Sequence, residues 1–286
     1  RNWMVSLGEL CRNATFTLAV LACQQCYPQV PSREPSSVMN DAIAAAIQRS
    51  GRTLEIGGPT SWLQLYHLTE NPVDNVIQDV SDGYERRGAA CVDDACREDA
   101  SATQGRSFPF KVGGKTLGTT FVRDGVALDS VDDQAYDLVV ASHVLEHFPN
   151  ALAAMREWDR VLRDEGRLLL VLPWPKASFD RHRVPTTTQH ILEDWADPRR
   201  ERLLDRHLEE MLRATSYSDM DPEDPRKAET AYRAEQERPF WENRYHWHVF
   251  DFPVLEELMY CLGYAVEAMD LVHPYHMMVV GRKLPL

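Results

Sequence analysis

The sequence predicts an α/β fold: a mostly parallel sheet of seven strands, closed by an antiparallel hairpin and carrying an inserted, mostly helical cap. Three observations predict this fold. An apolar run at 136–142, a helical pattern at 150–163 and a second apolar run at 167–172 form a βαβ unit. Earlier in the chain, two glycines follow a short apolar strand, where backbone can approach a ligand closely because glycine has no Cβ. Near the end of the chain, two strand patterns are separated only by a turn at Pro274, which requires an antiparallel pair.

The other elements follow from hydrophobic periodicity and from the residues that stop helices and strands. A leading helix at 38–50 ends before Gly51, and a closing helix at 251–262 ends before Gly263. Residues 81–118 are polar and glycine-rich, and we assign no helix or strand to them; the next strand begins at residue 119. The predicted strands are 53–56, 73–77, 119–123, 136–142, 167–172, 265–272 and 276–281.

Composition divides the chain into segments. After residue 173 the sequence becomes rich in charge, proline, histidine and tryptophan, which indicates an insertion. Asp197 and Pro198 predict the start of a helix in it, since an acidic cap followed by proline suits a first helical turn. The predicted segments are an N-terminal segment with the leading helix (1–50), an α/β core (51–173), an inserted cap (174–250) and the closing helix and hairpin of the core (251–286).

Charge and cysteine content limit the partners. The 286 residues carry a formal net charge of −13, which disfavours nucleic acid as a partner. No apolar run approaches the ~20 residues that span a bilayer, so we expect no membrane partner and a cytoplasmic location. The chain begins at Arg1, which leaves its natural N-terminus open. The six cysteines are interpreted as mostly reduced and structural, with redox pairing of 23 with 26 or of 91 with 96 as the alternative.

Three motifs resemble those of one enzyme family. Residues 54–59 read LEIGGP, residues 136–147 read YDLVVASHVLEH, and residues 158–173 read WDRVLRDEGRLLLVLP. Together with the closing hairpin, these motifs resemble the class I S-adenosylmethionine-dependent methyltransferases. The resemblance implies a Rossmann-like sheet, S-adenosyl-L-methionine as cofactor, and methyl transfer to an oxygen, nitrogen or carbon nucleophile.

The resemblance also implies which residues meet the cofactor at the carboxyl ends of the strands. Glu55 is expected to face the cofactor's amino group, with capping of the next helix as the alternative. Asp74, with Asp79 as its rival, is expected to contact the ribose. Asp124 is expected to accept a hydrogen bond from the adenine amino group, with a plain Asp-Gly turn as the alternative. The implied cofactor-binding residues are Glu55, Gly57, Gly58, Pro59, Asp74, Asp124, Gly125, Ser142 and His143.

His248 is predicted as the catalytic base. It belongs to a His-Trp-His run at 246–248, in which both imidazoles share one face of an extended chain, and the pKa of histidine suits proton transfer near neutrality. A polar, aromatic junction between cap and core is the alternative. His143 and Asp180 are the next candidate catalytic residues. The spacing of His143 and His147 can ligate a metal on a helix, but we predict no metal site and expect His143 to line the pocket.

The predicted function is methyl transfer to a small-molecule or sugar-like acceptor under the cap, where four tryptophans suggest an aromatic-lined pocket. Two alternatives remain. A non-catalytic, methyltransferase-like binding protein would keep the sheet and lose affinity for the cofactor. A nicotinamide-dependent oxidoreductase shares the sheet, but this chain lacks the G-x-G-x-x-G motif. The sequence leaves the oligomeric state and the methylated atom open.

Overall fold

The computed structural model describes residues 40–60, 62–78, 105–112, 115–237, 245–272 and 276–285. The strands of this part are β1 (Thr53–Ile56), β2 (Val73–Ile77), β3 (Ser107–Val112), β4 (Lys115–Val122), β5 (Tyr136–Ser142), β6 (Leu162–Pro173), β7 (Tyr264–Val272) and β8 (His276–Lys283). They form one eight-stranded sheet in the order β3-β4-β2-β1-β5-β6-β8-β7.

The pairing of the strands confirms the predicted fold class. β4, β2, β1, β5 and β6 are parallel neighbours, β8 runs antiparallel to β6, and β7 runs antiparallel to β8. The sheet has one strand more than predicted, because β3 pairs antiparallel with β4 inside the region left unassigned. Phe108 and Phe110 of β3 are buried, while Ser107, Pro109 and Lys111 are exposed, as period-2 alternation requires. Proline is tolerated here because β3 lies at an edge of the sheet.

Helices flank the sheet and build the inserted segment. The described helices are α1 (Asp41–Arg49), α2 (Leu65–Leu68), α3 (Ala151–Val161), α4 (Thr188–Ala196), α5 (Arg200–Ala214), α6 (Tyr217–Met220), α7 (Pro225–Ala234) and α8 (Phe252–Cys261), with single 3-10 turns at Leu145–His147, Pro175–Ala177 and Glu235–Glu237. In chain order, α4 to α7 come between β6 and α8. None of the helices in the described ranges is long and apolar enough to span a bilayer.

The cap helix predicted to begin at Asp197 and Pro198 is present as α5, which begins slightly later, at Arg200. A helix, α4, already precedes these residues, and it is capped by Thr187, whose side chain accepts a hydrogen bond from His190 N at 3.2 Å. The helix α5 has Arg199 at its N-cap position, without a capping hydrogen bond from that side chain, so the acidic cap predicted for it is not formed. Asp197 is the C-cap of α4, and α5 begins at Arg200.

Both faces of the sheet are covered, as a parallel sheet requires. Val139 of β5 and Trp158 of α3 belong to the apolar core on one face. Leu138 and Val140 of β5 belong to the core on the other face, together with Ile43 of α1. Because successive side chains of a strand point to opposite faces, β5 is buried on both sides, which explains its continuous apolar run.

The parallel strands end at one edge of the sheet, which we call the carboxyl edge. Ser142, the last residue of β5, pairs with Val171 near the end of β6. Because β8 is antiparallel, its first residue, His276, pairs with the last residue of β6, Pro173. Open α/β sheets bind ligands at this edge. The candidate site residues are therefore those that follow β1, β4, β5 and β6.

Candidate active site

A turn at Gly57 and Gly58 follows β1 at the carboxyl edge. Gly57 has a φ of +73°, where a residue with a side chain is strained, and its N–H donates to Val76 O at 2.8 Å. A Cβ on Gly57 would collide with the Val144 side chain, and a Cβ on Gly58 would collide with the Glu55 carboxylate. The chain's own packing therefore requires both glycines.

Glu55 is fully buried within this turn. Its Oε1 accepts a hydrogen bond from Thr60 N at 2.9 Å, so the carboxylate joins the two arms of the turn. Pro59 follows Gly58 through a cis peptide bond. The buried negative charge of Glu55 beside the glycine turn suits the ammonium group of S-adenosyl-L-methionine, and the contact itself stays a prediction.

Asp74 lies near the amino end of β2, away from the carboxyl edge. Its carboxylate is buried and accepts hydrogen bonds from Arg52 Nη2 at 2.7 Å, Tyr136 OH at 2.9 Å and Thr119 N at 2.6 Å. The predicted ribose contact of Asp74 is therefore wrong, because this carboxylate is used by the fold at the other end of the strand. Its rival, Asp79, lies outside the described residues.

Asp124 and Gly125 follow β4 at the carboxyl edge. Asp124 is exposed, and its Oδ1 accepts from Val126 N at 3.1 Å, which is the Asp-Gly turn that was the alternative. Gly125 is buried, and a Cβ on it would approach Phe148 Cζ to 2.7 Å. Its carbonyl accepts from Trp158 Nε1 at 2.9 Å. The structure thus gives Gly125 a role in the core instead of the predicted cofactor contact, whereas Asp124 is accessible to a ligand.

Ser142 and His143 end β5 beside a stacked aromatic pair. Ser142 Oγ accepts from Trp62 Nε1 at 3.2 Å, and the Trp62 ring stacks on His276 with centroids 3.9 Å apart. His143 has a φ of +53°, which is uncommon for a residue with a side chain, and its Nε2 lies 2.8 Å from His276 Nδ1. Burial and the neighbouring His143 lower the pKa of His276 to about 4. These contacts hold the His143 ring at the carboxyl edge.

A cavity of about 450 Å³ opens where β5 and β6 end, and we call it the edge cavity. His143 and Pro173 come from the sheet, and the other lining residues come from the inserted segment. An ion pair of 2.6 Å between Arg181 and Asp219 and the nearby Lys176 make its wall polar. The edge cavity is lined by His143, Pro173, Lys176, Ala177, Ser178, Phe179, Arg181, Asp219 and His246.

A buried histidine in the wall of the edge cavity, His246, is paired with a buried aspartate behind it, Asp180. His246 Nδ1 lies 2.6 Å from Asp180 Oδ2, and Arg183 Nη1 donates to Asp180 Oδ1 at 2.9 Å. Burial alone would raise the pKa of Asp180, but the hydrogen bond from His246 and the charge of Arg183 outweigh burial and leave that pKa lowered. An ionised Asp180 holds a proton on Nδ1 of His246, which leaves Nε2 as the proton acceptor.

Glu146 and His147 adjoin this pair. The His147 ring meets His246 edge-on with centroids 4.8 Å apart, and its Nδ1 donates to Tyr245 O at 3.0 Å. Burial lowers the pKa of His147 to about 4, with the charge of His246 acting in the same direction. Burial would raise the pKa of Glu146, but the neighbouring imidazoles of His143, His147 and His246 outweigh burial and lower that pKa. The carboxylate of Glu146 lies close to both His143 and His147, with Oε1 3.6 Å from His143 Nδ1 and 4.0 Å from His147 Nε2.

His248 is not among the residues that line the edge cavity. Its side chain is fully buried, and its Nε2 lies 3.2 Å from Pro149 O and 3.8 Å from Asp194 Oδ2. Burial, aided by the charge of His207, lowers its pKa to about 3. A base has to reach the proton that it removes, so the structure corrects the prediction of His248. The histidine of the His-Trp-His run that faces the edge cavity is His246.

A comparison with models of protein families supports two of the three sequence motifs, those at 136–147 and 158–173. A family model described as a methyltransferase domain matches residues 98–170, which is less than half of the chain and does not include the glycine turn. No curated protein matches the chain in sequence.

Solved structures with a similar fold include two methyltransferases. A SAM-dependent methyltransferase from Methanosarcina mazei is 15% identical, with a TM-score of 0.43, and the alignment covers 87% of this chain and 99% of that chain. The 1,6-didemethyltoxoflavin-N1-methyltransferase of Burkholderia thailandensis, solved with 1,6-didemethyltoxoflavin and S-adenosylhomocysteine bound, is 13% identical, with a TM-score of 0.43 and coverages of 85% and 76%. At these values the likeness does not identify an acceptor for this chain.

The family model spans β3 to β6, apart from the last residues of β6, and β5 and β6 are the strands that carry two of the three sequence motifs. The strand pairing around them is the mostly parallel sheet with an antiparallel hairpin that the resemblance implied. Residues 98–170 therefore match a methyltransferase domain, in agreement with the predicted enzyme class, and the sheet has the Rossmann-like form that the resemblance implied.

Proposed function

We propose that this protein transfers a methyl group from S-adenosyl-L-methionine to a small polar acceptor that binds in the edge cavity. The observation that carries the proposal is His246, which lies in the wall of that cavity beside the carboxyl edge of the sheet and is paired with the buried Asp180. A paired imidazole at the place where an open α/β sheet binds its ligand is the arrangement that proton removal from an acceptor needs.

The cofactor would lie at the carboxyl edge, between the glycine turn and the end of β5. Glu55 offers a buried carboxylate to its ammonium group, and the turn at Gly57 and Gly58 offers backbone. Ser142 and His143 lie on the neighbouring strand, and His143 also lines the edge cavity. When bound, S-adenosyl-L-methionine supplies a methyl group on a positively charged sulfur. Because His143 borders both regions, an acceptor in the edge cavity would lie next to that methyl group.

His246 is the base in this proposal. Asp180 fixes the tautomer of the imidazole, and Arg183 fixes Asp180 from the opposite side. In this proposal Nε2 of His246 removes the proton from an acceptor hydroxyl or ammonium, and the lone pair that remains on the acceptor forms the new bond to the methyl carbon. The bond from that carbon to sulfur would break at the same time, leaving its electron pair on sulfur, so that S-adenosylhomocysteine is the second product. Asp180 is a positioning residue, since it acts through His246.

The polar wall of the edge cavity favours a small acceptor. Its volume of about 450 Å³ lies within the range that small-molecule pockets occupy. Lys176 and the pair of Arg181 and Asp219 offer hydrogen bonds to hydroxyl, carboxylate or amine groups. A sugar-like or similarly polar metabolite meets these requirements, whereas an extended apolar molecule does not.

Cofactor binding is tested by thermal unfolding of the protein with S-adenosylmethionine, S-adenosylhomocysteine or NAD. We expect the first two to raise the melting temperature and NAD to leave it unchanged. A ligand at 100 times its dissociation constant stabilises a protein by ~2.7 kcal/mol, which such a scan resolves. Stabilisation by NAD alone would favour the oxidoreductase alternative, and no stabilisation by any of the three would favour a protein that does not bind a cofactor.

The base is tested with His246→Gln and Asp180→Asn in an assay that follows label from methyl-labelled S-adenosylmethionine into a panel of polar metabolites. We expect His246→Gln to reduce turnover by roughly 10²–10⁴-fold, the usual contribution of a positioned base, with unchanged affinity for S-adenosylhomocysteine. Asp180→Asn should reduce turnover and shift its pH profile, because the tautomer of His246 is no longer fixed. His182→Ala, an exposed histidine of the same segment, is the control. Full turnover in His246→Gln would remove His246 from the chemistry.

A further inference from the structure

A second group of histidines lies in the inserted segment, around Asp194. His190 and Asp194 are four residues apart on α4, and His207 lies on α5. His207 Nε2 lies 2.9 Å from Asp194 Oδ2, and His190 Nε2 lies 3.2 Å from the same oxygen. The two nitrogens are 3.2 Å apart. Three potential ligand atoms from two helices therefore converge on one point.

Hydrogen bonds alone account poorly for this convergence. If His190 and His207 both donate to Asp194, two N–H groups are directed at the single oxygen Oδ2, and their nitrogens are crowded to 3.2 Å from each other. If one of the two nitrogens lacks its proton, its lone pair faces the carboxylate oxygen at hydrogen-bond distance. A cation would replace both protons, and each of the three atoms would then use a lone pair.

The distances match a tetrahedral zinc site. Bonds of roughly 2.0–2.1 Å from zinc to imidazole nitrogen and carboxylate oxygen place the ligand atoms about 3.3–3.4 Å apart. The three separations of 2.9, 3.2 and 3.2 Å need to widen by only a few tenths of an ångström to reach about that spacing. Two imidazoles and one carboxylate are also a donor set that zinc accepts.

The groups around Asp194 orient its carboxylate toward the histidines, and the cluster can be reached from the surface. Arg206 Nη1 donates to Asp194 Oδ1 at 2.8 Å, which leaves Oδ2 directed at the histidines. The buried His248 adds a third imidazole, with its Nε2 3.8 Å from Oδ2. A cavity of about 430 Å³, open at the surface and lined in part by His190, Arg206 and His207, gives an ion access to the cluster.

We infer that His190, Asp194 and His207 bind a divalent cation of the zinc type, which fastens α4 to α5. This site shares no residue with the pair of His246 and Asp180, so the inference does not depend on the proposed methyl transfer. It differs from the expectation that the chain has no metal site, and the titration described next decides between the two.

The test titrates the chelator-treated, full-length protein with Zn²⁺ and, in parallel, with Co²⁺. We expect one equivalent of Zn²⁺ by elemental analysis, a higher melting temperature, and a visible Co²⁺ spectrum of tetrahedral intensity. His190→Ala should weaken Zn²⁺ binding by at least about 100-fold, because the loss of a direct ligand exceeds the 10–100-fold cost of losing a supporting residue. His190 is half-exposed, so this variant is expected to fold, and circular dichroism verifies that it does.

Two further variants make the result decisive. Asp194→Asn keeps the shape of the side chain but removes the charge, and it should lower the affinity for Zn²⁺ in the same way. His182→Ala removes an exposed histidine from the rim of the same cavity and should leave the affinity unchanged. The inference fails if Zn²⁺ does not bind stoichiometrically, or if His190→Ala binds it as the parent does. It also fails if only His147→Ala abolishes binding, because the metal would then lie at the group of Glu146, His147 and His246.

Discussion

Asp74 lies near the start of β2 and Asp124 follows the end of β4, and the two carboxylates have different surroundings. Asp74 is 2% exposed, and its two oxygens accept hydrogen bonds from Arg52, Tyr136 and Thr119. Asp124 is exposed at the carboxyl edge and bonds within its own turn. A buried, fully hydrogen-bonded carboxylate stabilises the fold, whereas an exposed one at the ligand edge is accessible to a cofactor. Each residue therefore has its own expected phenotype.

Asp74→Asn is expected to lower the free energy of unfolding by ~1–3 kcal/mol, because the amide replaces an acceptor of Arg52 and Tyr136 with a donor. The affinity for S-adenosylhomocysteine should stay unchanged. Urea denaturation gives the first quantity and isothermal calorimetry the second. Asp133→Asn, at a largely exposed acid, is the control and should stay within about 0.5 kcal/mol of the parent. Loss of affinity without loss of stability would restore Asp74 to the cofactor site.

Asp124→Ala is expected to show the opposite pattern. Losing a hydrogen bond to a charged acceptor should weaken S-adenosylhomocysteine binding by ~1–3 kcal/mol. Stability should change by less than about 0.5 kcal/mol, because the side chain is exposed. Calorimetry and urea denaturation again separate the two effects. If affinity is retained in Asp124→Ala and lost in Asp129→Ala or Asp132→Ala, the adenine contact belongs to a later residue of the same loop.

The histidines show where sequence reasoning about single residues stops. The alternation of His246 and His248 predicted that both rings share a face, but it could not say which one meets a partner. Asp180 is 66 positions from His246, and their contact depends on how the inserted segment folds back on the sheet. Asp180 itself was predicted as a catalytic candidate, and the structure supplies its partner. No local pattern contains a contact of that sequence separation.

At the scale of elements, prediction from the sequence succeeded for the strands that are buried on both faces of the sheet. The central run of β5 (138–141) and the second half of β6 (168–172) are apolar and buried because both faces of the sheet are covered, so their sequence signal is strong. β3 was missed because it is an edge strand with alternate exposed residues and a proline, a pattern that resembles a loop. α4 was missed because its Thr187 cap is the middle residue of three threonines that follow a proline, which do not form an apolar periodic run.

α8 provides a test of capping. Asp251 is its N-cap, and the Asp251 side chain accepts from Val254 N at 3.1 Å. Asp251→Ala is expected to lower the free energy of unfolding by roughly 1 kcal/mol, the usual cost of removing a cap. Asp251→Ser keeps a capping oxygen and should recover most of the loss. Urea denaturation of both variants checks this, and equal stabilities for alanine and serine would show that the cap contributes nothing.

At the scale of the whole molecule, the interior should limit stability in acid. Burial and the neighbouring His143 lower the pKa of His276 to about 4, whereas a histidine in an unfolded chain titrates near ~6.5. Between about pH 6.5 and 4 the unfolded state therefore binds a proton that the folded state does not. The free energy of unfolding should fall as pH falls through this window, by at most about 1.4 kcal/mol per pH unit from this group, and be level above it.

The measurement is urea denaturation of the parent and of His276→Gln at pH values from 7 to 4.5. The variant lacks the titrating ring, so its stability should fall less steeply between about pH 6.5 and 4. A parallel series with His182→Ala, which lacks an exposed histidine, should follow the parent. Identical slopes for the parent and His276→Gln would show that His276 takes up its proton equally in both states.

The order of the last strands also bears on how the protein is made. β8 lies between β6 and β7 in the sheet, although β7 comes first in the chain. During synthesis β7 therefore leaves the ribosome with no strand to pair with until β8 follows it. His276 is the first residue of β8, and its contact with His143 spans 133 positions. A nascent chain that already contains the glycine turn, β5 and the edge-cavity histidines still lacks β8 at its carboxyl edge, so the site is completed only after β8 has been synthesised.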